Sequence, residues 1–342
     1  MSSLSTTPSS TASPDPTKLG PLGPLGPLRA LTRLHRPLVW FAGSMVVLAL
    51  VSAVGLFVDD RILVGVPIWS KPFKFSVSLV AYTLSLAWML SLLAPTSRAH
   101  RVGWWAGTVV AGTLTAEMVL ITLQVVRGTQ SHFNQATPFD NAVFQIMGAS
   151  IVTLWLSALV IAVLLLRTRI LDRATAWAVR LSSLIALAGA AVGFLMTPPT
   201  PEQLAVDDSP ISGAHSVGVP DGGPSMPLTG WSTTGGDLRI PHFFGMHALQ
   251  LLPLLLIVLA ALAPRFARLA DERVRLRLTL TAAGVYAAAF VLLTWQALRG
   301  QALFSPDGVT LAAAGAIALL GAAATALSLR TPAPSRAEEV LA

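Results

Sequence analysis

Cysteine is absent from all 342 residues. That excludes disulfides, thiolate metal sites, iron–sulfur clusters and a cysteine nucleophile. Charge is scarce as well, at 11% of residues, against roughly 25% in a soluble domain. Lysine occurs only at positions 18, 71 and 74. No GxSxG elbow, Walker lysine loop, dinucleotide glycine fingerprint or HExxH is present, so nothing points to nucleotide-driven or nicotinamide chemistry. No enzyme class follows from the residues.

What fills the chain is hydrocarbon: 54% of residues are hydrophobic and the mean hydropathy is +0.68. A helix crossing ~30 Å of lipid needs about 20 apolar residues. Eight stretches qualify, at 37–58, 73–94, 103–126, 141–166, 175–196, 242–263, 278–298 and 309–329. The expected fold is therefore an all-α polytopic membrane bundle, with the lipid bilayer as its first partner. The net charge of +7 is spread over short connections between apolar runs. It reads as membrane topology and not as a nucleic-acid face.

Orientation follows from lysine and arginine in the connections. With the N-terminus inside, 17 fall on the cytoplasmic side, in groups around Arg36, Arg98, Arg173, Arg273 and Arg330. Six fall outside: Arg61, Lys71, Lys74, Arg127, Arg239 and Arg299. The expectation is a multi-pass protein of the bacterial inner membrane with both termini cytoplasmic. Residues 1–30 are rich in Ser, Thr and Pro and are expected to form a disordered tail. A retained first helix is expected in place of a cleaved signal peptide, because no small-residue cleavage site follows it. Residues 331–342 would form a second cytoplasmic tail.

The membrane region divides into four-helix halves, 31–170 and 171–330, that resemble each other in register. Leu34-x-Arg36-x-x-x-Trp40 matches Leu171-x-Arg173-x-x-x-Trp177, and Pro72-Phe73 matches Pro241-His242. Gln124-x-x-Arg127-Gly128 matches Gln296-x-x-Arg299-Gly300, and Asp140 with Gly148 matches Asp307 with Gly315. Both halves start on the same side, so the reading is a 4+4 parallel repeat. The second half carries a long acidic connection, 197–241, expected to be extracytoplasmic and flexible.

Polar groups inside spans usually face a cavity or each other. In the third span Thr113, Glu117, Leu120, Gln124 and Arg127 form one stripe. Glu117 lies ten residues inside Arg127, about 15 Å below the surface at 1.5 Å per residue. In the second span Lys74, Ser78, Tyr82 and Ser85 run in parallel. A Tyr82–Glu117 hydrogen bond is expected, with Lys74 reaching in from above. At the outer ends Asn134 joins Gln124, Arg127 and Arg299, and the two arginines would flank one central cleft.

Three histidines cluster on the outer side: His132, His242 and His247. Neutral imidazole is the commonest metal ligand, and a histidine triad with an open position suits zinc or another divalent ion. The five-residue spacing of His242 and His247 puts them about 140° apart on a helix, which weakens that signal. Haem held between His132 and His247 is a second, weaker option.

These residues frame three readings. The first is a membrane protein with an outward-facing pocket for a small molecule or ion. The second is a proton-coupled transporter working through Glu117, and the third a structural or partner-binding subunit. Little polar lining is expected on the cytoplasmic half, which favours the first.

Overall fold

The computed structural model describes residues 34–330. The expected tails at 1–30 and 331–342 lie outside the described residues. Within them run eight helices long and apolar enough to cross a membrane: α1 Arg36–Val58, α2 Ser70–Leu90, α3 Arg98–Arg127, α4 Pro138–Arg167, α5 Arg173–Val192, α6 Arg239–Leu262, α7 Glu272–Leu298 and α8 Gly308–Arg330. Each expected span falls on one of them. Their surfaces fit a lipid environment: in α8 only 11% of the most apolar window is buried by protein, and in α4 only 17%.

Local chemistry sets where the helices begin. Ser97, Thr137 and Asp172 each precede a helix and accept a hydrogen bond from the backbone N–H three residues on. That satisfies a donor no helical carbonyl can reach. Pro138 opens α4, where its missing N–H costs nothing. At the far end of α3, Gly128 adopts φ 72°, the left-handed conformation that ends helices.

Packing follows one pattern twice. In the first half α1 packs on α2, α3 on α4, α2 on α3 and α1 on α3. In the second half α5 packs on α6, α7 on α8, α6 on α7 and α5 on α7. The halves meet through α4 against α5 and α2 against α6. The tightest approach is between α5 and α6. A Cβ placed on Gly189 would lie 2.6 Å from the Gly245 Cα, so only glycine allows these backbones to touch.

The two ends of the bundle differ. One is packed solid by Leu38, Phe41, Met89, Leu93, Leu114, Ile161 and Leu165. At the other, the helices diverge around a cavity, and the 197–241 segment folds over it. This segment departs from the flexible loop expected of its composition. Its residues 216–217 and 236–237 pair as a short antiparallel ladder. Asp237, 1% exposed, accepts from the backbone N–H groups of Ser232 and Arg239 and is gripped by the Arg239 guanidinium. Asp221 similarly accepts from the N–H groups of His215 and Ser216. Asp221 and Asp237 are thus internal acceptors that hold turns together, and glycines such as Gly218 and Gly230 supply positive φ angles in this segment.

Candidate functional site

Ten residues, 128–137, separate α3 from α4, and they do not simply cross between helix ends. Glu117 lies ten residues before the end of α3, yet Nε2 of His132, five residues past that end, stands 3.4 Å from its Oε1. The connection therefore turns back into the bundle. Such re-entrant backbone is tolerated at membrane depth only where protein or a cavity surrounds it. Both conditions hold here. Phe133 anchors the turn at φ 65° and is 5% exposed, edge-on to Phe144 and His215. Gln135 N–H donates to Pro210 O, and Ser212 N–H to Phe133 O, tying the loop to the covering segment.

Two helices, α2 and α3, and this loop bring the central groups together. Lys71, on the first turn of α2, donates to Ser131 Oγ at 2.8 Å and lies 2.9 Å from His132 Nδ1. An ammonium has only donors, so Nδ1 of His132 is the acceptor and Nε2 carries the proton. That nitrogen stands 3.4 Å from Oε1 of Glu117 without forming a hydrogen bond, and Glu117 is 2% exposed. Neither carboxyl oxygen has a hydrogen-bond partner. A buried carboxyl normally has several, so this acid faces a space where something else can bind.

The space is a cavity of about 2250 Å³ between α2, α3, α4, α5 and α6 and beneath the covering segment. Lys71, Lys74, Glu117, His132, His215, His242, His247 and Gln250 line it, among apolar side chains such as Ile121, Phe144, Ile151 and Phe244. His242 donates from Nδ1 to Gly189 O at 2.8 Å, which leaves its Nε2 as an acceptor. Burial, with the Lys71 charge nearby, holds the His132 imidazole well below its usual pKa. Burial also lowers His215, more than its bond to Asp221 raises it.

Several sequence expectations are corrected by this geometry. Tyr82 does not bond Glu117; it packs against the main apolar core, below the cavity floor. Lys74 does line the cavity, but its Nζ donates to Thr229 O at 2.6 Å in the covering segment. Lys71 is the lysine that reaches towards the acid. Gln124 is fully buried and bridges Gln130 O to Asp140 Oδ1, with Arg127 bonded to both Gln124 and Asp140. Those residues lock α3, the loop and α4 together, and they stand behind the cavity wall. Asn134 braces the same loop through Thr129 and Gln130. Arg299 pairs with Asp307 and covers the Trp295 ring at 4.4 Å. The two arginines do not flank the cavity.

His132, His242 and His247 share the cavity without converging. Their ring nitrogens face Lys71 and Glu117, Gly189 O, and Gln250 Oε1 respectively. Among the described residues no group of three or more His, Asp or Glu side chains is placed to hold a metal ion. The paired histidines that haem would need are not formed either, because His132 folds onto Glu117 and not onto His247.

Two lining residues escaped the sequence reading. Lys71 lies three residues before Lys74, on the same helical face, and that spacing is a usable signal. His215 carries no such signal, since a long-range fold of the covering segment brings it in. Compared with known proteins, the chain matches no family model, no curated protein and no solved structure.

Proposed function

We propose that the chain is a multi-pass inner-membrane protein, with both termini cytoplasmic, whose extracytoplasmic half binds a small ligand through Lys71, Glu117 and His132. One observation carries this reading. Glu117 is almost completely buried, faces a large cavity, and leaves both oxygens without partners. An intramembrane carboxyl is expensive, and a packing role would have given it a donor.

A proton-coupled transporter would need a second opening. At the other end an apolar core that includes Leu38, Phe41, Leu93 and Leu165 fills the bundle, and this favours binding over transport. The doubled packing pattern, with Gln124 and Gln296 each bonding a carbonyl six residues on, supports a duplicated four-helix ancestor. In that scaffold only the first half carries the acid, because Ala289 stands where the repeat would place it.

Full-length protein drawn from native membranes in mild detergent tests the binding reading. Its aqueous and organic extracts are analysed by mass spectrometry, and its metal content by elemental analysis. A near-stoichiometric molecule or ion is expected in the wild type and absent from Lys71→Ala and Glu117→Gln. A wild-type preparation that carries nothing above the level of those variants overturns the reading. Reporters test the orientation separately: one after Arg330 should be cytoplasmic, and one near Asp221 extracytoplasmic.

A further inference from the structure

The cavity is two-toned, and the division has a direction. Near the covering segment stand Lys71 and Lys74, and neither ammonium has a carboxylate within ion-pair distance among the described residues. Of the neighbouring acids, Asp221 is engaged with His215 and Asp237 with Arg239, and Glu117 stands on the far side of His132 from Lys71. Further along the helices apolar side chains dominate one wall, Val77 and Ala81 on α2, Ile151 and Val152 on α4 and Leu251 on α6, while His247 and Gln250 on α6 are bonded to each other. Val77, Val152 and Leu251 line the cavity and are nevertheless 52%, 46% and 46% exposed. They sit along the middle stretches of their helices, where a membrane-spanning bundle meets hydrocarbon. At the opposite, polar end the folded segment and the re-entrant loop close over the site through main-chain hydrogen bonds.

We infer that the ligand is an anionic glycerophospholipid taken sideways from the bilayer, with its phosphate at Lys71 and Lys74 and its acyl chains running out past Val77 and Leu251. This inference rests on the binding role proposed above and names the class of ligand. Two unpaired ammonium groups in a partly desolvated site call for an anion. The volume of about 2250 Å³ exceeds the roughly 300–1,000 Å³ of an ordinary small-molecule pocket, and a lone phosphate would leave most of it empty. The two unpartnered oxygens of Glu117 accept from donors on the ligand, so a headgroup with free hydroxyls, such as glycerol, completes the site. A choline headgroup has no such donor.

The test uses the full-length protein in mild detergent. It is titrated with short-chain phosphatidylglycerol, with phosphatidylcholine of the same chain length, and with glycerol phosphate, read by native mass spectrometry and by thermal shift. Phosphatidylglycerol should bind at least tenfold more tightly than either of the others. Lys71→Ala with Lys74→Ala should abolish that preference, Lys71→Arg should keep most of it, and Arg299→Ala should leave it unchanged. Ala81→Trp, which fills the apolar exit, should weaken the lipid and spare glycerol phosphate. Melting profiles confirm that each variant is folded. Equal binding of glycerol phosphate and the lipid, or indifference to Ala81→Trp, would mean a water-borne anion and would sink the inference while leaving the binding role intact. Failure of all three probes also overturns it; if the native extracts still yield another ligand, the broader reading stands alone.

Discussion

His132 Nε2 lies 3.4 Å from Glu117 Oε1 although fifteen residues and a helix end separate them in the chain. The contact exists because the connection after α3 folds back into the helix bundle, with Lys71 holding the far side of the imidazole. A lysine, a histidine and an acid thus stand in a row whose last member has no hydrogen-bond partner of its own.

The first prediction concerns what that acid costs. Leaving a buried polar group unpaired destabilises a fold by about 1–3 kcal/mol. Leucine has nearly the volume of glutamate and needs no partner. Glu117→Leu should therefore raise the melting temperature of the purified, ligand-free protein while abolishing ligand retention. Such a trade marks a residue kept for function at the expense of stability. A marked fall in melting temperature would show that Glu117 supports packing instead.

The pH dependence of stability follows from the histidines outside the spans. Burial lowers His132 and His215, so between their folded pKa values and about 6.5 the unfolded chain binds protons that the folded chain refuses. Stability is then full above that window and is lost as pH falls through it. His132 meets the Lys71 ammonium from α2, Glu117 from α3, His215 from the covering segment and His242 from α6; on acidification the two histidines can only gain positive charge and Glu117 can only lose negative charge. Thermal shift measured from pH 8 to pH 5 should fall, and His132→Asn should flatten the curve. An unchanged slope in that variant would assign the effect to another group.

Hydropathy and loop charge made the eight helices legible, because a span's length and flanks are local properties. The place of Glu117 along α3, ten residues before its end, was legible for the same reason. Its partner was not. Tyr82 matched it in depth along an ideal helix, but the bundle is already closed at Tyr82, while His132 arrives from a loop whose re-entry depends on contacts with residues 210–212. Gln124, Arg127, Asn134 and Arg299 looked like lining because polar residues at helix ends serve sites and caps alike. Here they serve caps, tying a helix terminus to the connection after it. The order of the 197–241 segment was hidden because Asp221 and Asp237 read as surface charge until their backbone partners are known.

Asp237 is the main fastener of that segment, accepting from two backbone N–H groups and the Arg239 guanidinium. Removing one partner of a buried charge pair costs about 3–5 kcal/mol. Asp237→Ala should open the segment locally, with the helices unaffected. Limited proteolysis should cut between 215 and 235 in the variant at concentrations that spare the wild type, with helical circular dichroism unchanged. Equal resistance would mean that the segment is held chiefly by its contacts with the loop.

Gly189 tests the α5–α6 seam. A side chain there meets Gly245 backbone at 2.6 Å, and neither backbone can yield without parting the helices. Gly189→Leu should cost at least the ~1–3 kcal/mol of ordinary overpacking, and it should also break the bond from His242 to the Gly189 carbonyl. Gly148→Leu, on α4 where a Cβ meets nothing within 4 Å, is the matched control and should melt near the wild type. Similar melting of both variants would contradict the close approach.

The two glutamines offer the sharpest separation of scaffold from site. Gln124 donates to Gln130 O at 3.1 Å and Gln296 to Ala302 O at 2.9 Å, each just past a glycine at φ 72° or 73°. Gln124→Ala loses the bonds to Gln130 O, Asp140 and Arg127, and Gln296→Ala those to Ala302 O and Leu303 O, so both should destabilise, by about 1 kcal/mol per lost bond. Their consequences for binding should diverge. Gln130 leads directly into Ser131 and His132, so loosening it lets the imidazole drift from Glu117 and Lys71. The loop after Gln296 leads to Phe304 and Asp307, away from the lysines and the acid. Gln124→Ala should therefore weaken ligand retention severalfold and blunt the histidine-dependent pH slope, while Gln296→Ala changes neither. A loss of retention in both variants, in proportion to their loss of stability, would show that the pocket depends on the bundle as a whole and not on this one hinge.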